Sequence, residues 1–350
     1  MKLLKSILLP LMPLMPLMAL MALMALMALM ALMALVCAPA LAANGIAFRD
    51  VHETTTGTTM PAMVFYPAMA SANAGPSDLG PYRVAATPGL PIAEGRHPLV
   101  LISHGHGGSA LGHHDLATTL ADAGFIVASI EHAGDSHRDQ SGFGTERVLL
   151  GRAWQVSALL DLLLADPQLG PHIDADRVGV AGFSAGGYTS LLLLGATPDF
   201  SRRAAYCAAQ PADAEVCVEV PAVIERLPVS RATVDPRIRA GFVMAPFAIF
   251  FDAATLKKID APVFLYGAMA DRVLLPGYNV LPVRDALPRL HTFRGIVGAG
   301  HYVFLAPCNP GMAEALPVLC VDPPGIDRQA LHAQINADAV DFFRETLAPR

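Results

Sequence analysis

Positive charge is in short supply in this sequence: 24 Lys and Arg stand against 30 Asp and Glu, for a net charge of −6. That balance argues against nucleic acid and anionic membrane surfaces as partners, which both call for a basic patch. Cysteine is scarce too, five in 350 residues, and no two are spaced as CxxC. There is no H-E-x-x-H, so the usual zinc signatures are missing. Six histidines (His104, His106, His113, His114, His132 and His137) are scattered over three loop regions without ligand spacing. No metal and no cofactor is therefore expected. No linker-like stretch divides residues 44–350, so one domain is expected over 43–350.

Acidic residues are missing altogether before Asp50. Lys2 and Lys5 are followed by "LMP" repeats, six "MAL" triplets at 18–35 and then "APALAA". A basic start, an apolar run and small residues read as a secretory signal over 1–42, cleaved near Ala42 or Ala43. The run is also long enough to serve as an uncleaved membrane anchor, though Pro10, Pro13 and Pro16 weigh against a straight helix. Cys37 follows Val36, which is larger than a lipoprotein site prefers. Cleavage removes two lysines and no acid, taking the net charge from −6 to −8. The expected location is secreted or periplasmic, with no stable membrane association. Cys207, Cys217, Cys308 and Cys320 then remain, an even number in an exported chain, which suggests disulfides. Of three possible pairings, the local one, 207–217 with 308–320, is expected. Free buried thiols are the alternative.

Beyond the leader, "MPAMVFYPA" (60–68) alternates like an edge strand, and 70–97 reads as a long loop. Then apolar runs alternate with helical spacing. "HPLVLISHG", "FIVASIEH", "RVGVAGF", "RIRAGFVMAP", "APVFLYGA" and "HTFRGIVGAG" read as strands. Residues 110–123, 146–165, 184–195 and 327–347 read as helices. Strands that are apolar throughout imply a mostly parallel sheet with helices on both faces, an α/β fold. Residues 197–236 break the rhythm and read as an insertion near the sheet edge or over the site.

Gly182-Phe183-Ser184-Ala185-Gly186 fits G-x-S-x-G between a strand and a helix. Small neighbours allow the tight turn that lifts a serine nucleophile to the strand end. The bland reading of Ser184 is a helix cap. A serine needs a base, and the base needs a carboxylate to orient it. Of the three histidines after Ser184, His301 in "GAGHY" follows the last strand and is the expected base. His291 lies at the far end of that strand. His332 sits in the terminal helix and reads as a surface residue. Asp271, just past "PVFLYGAMA", is the expected acid. Asp252 is a weaker rival, and Glu131 and Asp135 are at the right edge but out of chain order. "SHGHGG" (103–108) reads as an oxyanion loop, with the backbone N–H groups of His106 and Ala185 as donors. Only the amide of His106 is expected to act, and His104 is expected to buttress the loop. Phe247, Phe250 and Phe251 are candidate pocket walls, or ordinary core.

At these residues the sequence resembles the α/β-hydrolase superfamily. More narrowly, it looks like bacterial predicted dienelactone hydrolases related to platelet-activating-factor acetylhydrolases. The carriers are "VFYPA", "PLVLISHGHGG", "GFIVASIEHAGDSH", "DADRVGVAGFSAGGYTSL", "DPRIRAGFVMAP", "GAMADRV" and "GAGHYVFL". The resemblance implies a cofactor-free serine hydrolase with Ser184, Asp271 and His301 as triad and His106 and Ala185 as oxyanion donors. Dienelactone hydrolases proper use cysteine, so serine here favours an ordinary ester. The expectation is an exported esterase on small or short-acyl carboxylic esters. The rivals are an exopeptidase or amidase on the same fold and a non-catalytic binding protein.

Overall fold

The structure is a computed structural model that describes Met24 and residues 43–52, 57–69, 71–229 and 232–349. The expected signal segment, apart from Met24, lies outside the described residues. Residues 43–350 form one compact unit.

The strands are β1 (Ala43–His52), β2 (Thr59–Ala68), β3 (Ser77–Leu79), β4 (Tyr82–Val84), β5 (Thr87–Pro88), β6 (His97–Ser103), β7 (Ile126–Ile130), β8 (Ile173–Phe183), β9 (Ile238–Met244), β10 (Val263–Ala268) and β11 (Leu290–Ile296). Nine of them form one sheet in the order β11-β10-β9-β8-β6-β7-β2-β1-β5, and β3 pairs with β4 in a small hairpin. From β7 through β11 the pairing is parallel, while β2 runs antiparallel to both β7 and β1. The 60–68 segment is therefore not an edge strand, because β1 covers it along its whole length. One side of β1 faces solvent near its middle, with Phe48 about half exposed between the buried Ile46 and Val51. Such a strand gives only weak alternation. The 70–97 stretch is likewise not all loop, since it holds the β3–β4 hairpin and β5.

The helices are α1 (His114–Asp122), α2 (Glu146–Leu149), α3 (Gly151–Ala165), α4 (Ala185–Leu193), α5 (Arg202–Ala209), α6 (Ala253–Leu256), α7 (Val280–Ala286), α8 (Pro310–Ala315), α9 (Pro317–Cys320) and α10 (Arg328–Thr346). The period-2 geometry of a strand sends alternate residues of β6 to opposite faces. Leu99 and Leu101 pack with Leu159, Leu160 and Leu163 of α3 and Leu191 of α4. Val100 and Ile102 pack with Leu116 and Leu120 of α1 and Phe342 and Phe343 of α10. Each fully buried Leu, Val or Phe contributes about 1.5–3 kcal/mol over leaving it in water. Both faces are thus covered, which is why β6 reads as an unbroken apolar run.

The chain leaves β6 towards β7 on one side and passes from β8 to β9, β10 and β11 on the other. Strand order therefore reverses between β6 and β8. In open parallel sheets the crevice at the carboxyl ends of such a pair is where ligands bind. The loops after Ser103 and Phe183 both open there.

Disulfides join Cys207 to Cys217 and Cys308 to Cys320, closing stretches of 10 and 12 residues. In the chain-entropy picture, each is worth about 2–3 kcal/mol by restricting the unfolded chain. Cys207→Ser with Cys217→Ser should lower the urea midpoint accordingly, with an m-value equal to or slightly above that of the wild type because the unfolded chain is less compact. Peptide mapping without reduction should recover both local pairs. Four labelled thiols in denatured, unreduced protein would contradict them.

Candidate active site

Ser184 takes φ 56° and ψ −118°, an uncommon conformation for a residue with a side chain. It persists because the neighbouring positions are empty of side chain. A Cβ on Gly182 would lie 2.1 Å from the Gly186 carbonyl oxygen, and one on Gly186 would lie 1.8 Å from that of Ser103. The turn is anchored by Ser184 N–H donating to the Met244 carbonyl at 3.0 Å. Strain held in this way at one serine marks a functional turn more than a simple cap. Ser184 also makes no side-chain cap bond to α4.

His301 Nε2 lies 3.0 Å from Ser184 Oγ, and its Nδ1 lies 2.6 Å from Asp271 Oδ2. All three side chains are buried. The other carboxylate oxygen of Asp271 accepts the N–H groups of Val273 and Leu274, both at 2.8 Å. A carboxylate held in this way accepts Nδ1–H, which leaves Nε2 free to accept the serine proton. Asp271 follows β10 and His301 follows β11, so both groups arrive at the carboxyl edge of the sheet beside Ser184. The Phe183 ring packs 4.7 Å from the imidazole.

The rival acids are engaged elsewhere. Asp252 caps α6 and pairs with Arg202 at 2.8 Å. Glu131 lies 3.4 Å from Arg138. Asp135 bonds to Arg152 and to His106.

The amides of His106 and Ala185 make no hydrogen bond to other described residues. Both residues line the cleft that contains Ser184 and His301. Ala185 is the first residue of α4, where an N–H has no intrahelical partner and the helix dipole favours negative charge. Two free donors beside a serine could receive an oxyanion.

Phe247 and Phe250 line the cleft with Phe183, Tyr188 and Tyr302. Phe251 does not. It is buried behind them, stacked on Tyr188 at 5.3 Å, because successive residues in this turn point in different directions. The 197–236 segment lies over the cleft: Glu215, Val216 and Val220 line it. Burial raises the Glu215 carboxyl above its ordinary range, partly offset by His106 and His301. Nothing in the local sequence singled out Glu215, because an exposed-looking acid in an irregular stretch has no periodic signal.

The histidines have separate roles. His104 is buried and pushed down to about 3 by burial and by the Arg152 charge. It donates from Nδ1 to the Gly105 carbonyl (2.6 Å) and accepts the His132 N–H (3.1 Å), so it does buttress the loop. His113 is likewise buried and lowered to about 4. His332 is not at the surface. It is buried, 2.6 Å from Asp115 Oδ2 through Nδ1 and 2.8 Å from the Val303 carbonyl through Nε2. Burial alone would raise the Asp115 carboxyl, but hydrogen bonds from His332 and Asn336 outweigh it and hold it below its usual range. Val303 belongs to the turn that carries His301, so His332 braces that turn from behind. Among the described residues no three His, Cys, Asp or Glu converge as metal ligands would.

Topology and elbow together define an α/β-hydrolase fold. The prolyl oligopeptidase family model matches residues 111–211. Among solved structures, a ferulic acid esterase from Streptomyces cinnamoneus superposes with a TM-score of 0.59 at 20% identity, covering 90% of this chain and 92% of that one. No curated protein matches the sequence.

Proposed function

We propose that the chain is an exported serine ester hydrolase acting on small or short-acyl carboxylic esters. The observation that carries this is the continuous Ser184–His301–Asp271 hydrogen-bond chain at the sheet's carboxyl edge. Ser184 Oγ attacks the ester carbonyl as His301 Nε2 takes its proton. The N–H groups of His106 and Ala185 receive the oxyanion. His301 then protonates the departing alkoxide, and a water activated by the same nitrogen releases the acid. Asp271 keeps the imidazole in the accepting tautomer and stabilises it when charged. The largely apolar cleft wall around Phe247 and Phe250 suits a compact acyl or alcohol group. The ferulic acid esterase that shares the fold supports an ester, and it makes a ferulic acid ester a natural member of the test panel.

The match to the prolyl oligopeptidase family favours a second reading, an amidase or exopeptidase on the same residues. Matched ester and anilide substrates separate the two. The ester reading expects kcat/KM on the ester to exceed that on the anilide by at least about 10³-fold. Comparable values would favour the peptidase. Export is supported by the two disulfides. Among the described residues no helix is long and apolar enough to cross a membrane. N-terminal sequencing should find a start near Ala43. Met1 on membrane-bound protein would favour the anchor.

A further inference from the structure

The proposed oxyanion donors come from a loop and from the first turn of α4, and one buried ion pair ties both of them together. Arg152, on the first turn of α3, is 1% exposed, and its partner Asp135, in the loop after β7, is 0% exposed. The Arg152 Nη1 donates to Asp135 Oδ2. The other carboxylate oxygen accepts the Gly107 N–H at 3.1 Å and the His106 Nδ1–H at 2.5 Å. Arg152 Nη2 donates to the His104 carbonyl and, at 3.2 Å, to Ser103 Oγ. The loop 103–107 is thus held on either side of the His106 amide. Arg152 Nε donates to Thr189 Oγ1 at 3.1 Å, and that hydroxyl donates to the Ala185 carbonyl at 2.9 Å. The same guanidinium therefore reaches the first turn of α4, where the second donor sits.

We propose that Arg152 and Asp135 act as a positioning pair that sets the separation and aim of the His106 and Ala185 amides. This rests on the serine hydrolase reading above and deepens it. The planar guanidinium fork reaches four acceptors at fixed angles, which an ammonium cannot reproduce. Burial alone would raise the Asp135 carboxyl, but the Arg152 charge and the His106 hydrogen bond bring it down to about 2, so the pair is ionised at neutral pH. The surrounding polar atoms complete the cradle. Ser103 Oγ donates to His132 Nε2 at 2.8 Å, and His132 Nδ1 donates to Gln155 Oε1 at 2.8 Å. The side chain of His106, expected from sequence to be idle, is a strut of this assembly.

Oxyanion donors act on the tetrahedral state more than on bound substrate, so misplacing them lowers kcat and spares KM. The experiment compares wild type, Arg152→Lys and His106→Ala, with active sites counted by fluorophosphonate titration. His106→Ala leaves the buried ion pair intact, and so keeps the test valid if Arg152→Lys does not fold. On a short-chain aryl ester, Arg152→Lys should lower kcat per titrated site by about 10–10²-fold and His106→Ala by about 10-fold. KM should stay within about 3-fold. Affinity for a trifluoromethyl ketone, which forms a tetrahedral adduct on serine, should weaken by the same factor as kcat. A structural role alone would lower the titratable fraction or Tm and leave kcat per site and ketone affinity unchanged; that result overturns the proposal. A raised KM at constant kcat also overturns it. If wild-type turnover itself survives Ser184→Ala, the hydrolase reading fails, and this outcome is distinct from intact turnover in Arg152→Lys and His106→Ala.

Discussion

Ser184→Ala and His301→Ala should each lower kcat on a short-chain aryl ester by about 10⁴-fold or more, and the double variant should be scarcely worse than either. The non-additivity follows from geometry. With Oγ 3.0 Å from Nε2, the hydroxyl is useful only while the imidazole can take its proton, and without Oγ no acyl-enzyme forms for the imidazole to hydrolyse. Asp271→Asn should cost about 10³–10⁴-fold, for a specific reason. Asp271 Oδ1 accepts two backbone N–H groups at 2.8 Å, so an asparagine keeps its oxygen there and turns its NH2 towards His301 Nδ1. Nδ1 must then accept, Nε2 carries the proton, and it can no longer receive one from Ser184. Asp252, Glu131 and Asp135 are all bonded elsewhere, so among the described residues Asp271 alone bonds to His301 Nδ1. Far-UV circular dichroism should be unchanged in all four variants. Additive losses in the double variant would mean that Ser184 and His301 act separately.

His106→Pro should lower kcat by about 10²–10³-fold, because it deletes one of two proposed oxyanion donors. The comparison with His106→Ala, expected to lose only about 10-fold through the Asp135 contact, separates amide from side chain. Equal losses in the two variants would remove the amide from the mechanism and leave the imidazole as the only contributor. Thermal unfolding of both variants shows how much of the proline effect is strain.

The elbow was legible because its constraint is local. Gly182, Ser184 and Gly186 stand within five residues, and the need for absent side chains is written directly as glycine. His301 and Asp271 were legible because a parallel sheet places every strand's carboxyl end on one edge, so chain position translates into space. Strands buried on both faces announce themselves as apolar runs, as β6 does. β1 did not, since a strand exposed on part of one face alternates too weakly over ten residues to stand out after a long apolar run. The Arg152–Asp135 pair was hidden for a different reason. Its contacts join residues 17, 37, 48 and 49 positions apart, and an arginine in "GRAWQV" looks like any solvated helical cation. His332 was misplaced on the same ground: a polar residue in a terminal helix reads as exposed unless its partner, Asp115, more than two hundred residues earlier, is known. Phe251 shows the limit for apolar residues, where adjacent aromatics in one turn divide between cleft and core with no marker in their identity.

The most direct measurement is the site of covalent capture by a fluorophosphonate. Only a serine activated by a neighbouring base reacts stoichiometrically with such a reagent at neutral pH. Peptide mass spectrometry of the labelled protein should place one phosphonyl group per chain on Ser184, with labelling abolished in Ser184→Ala and slowed by orders of magnitude in His301→Ala. An unlabelled protein that still hydrolyses the ester, or a label on any other residue that persists in Ser184→Ala, would contradict the account.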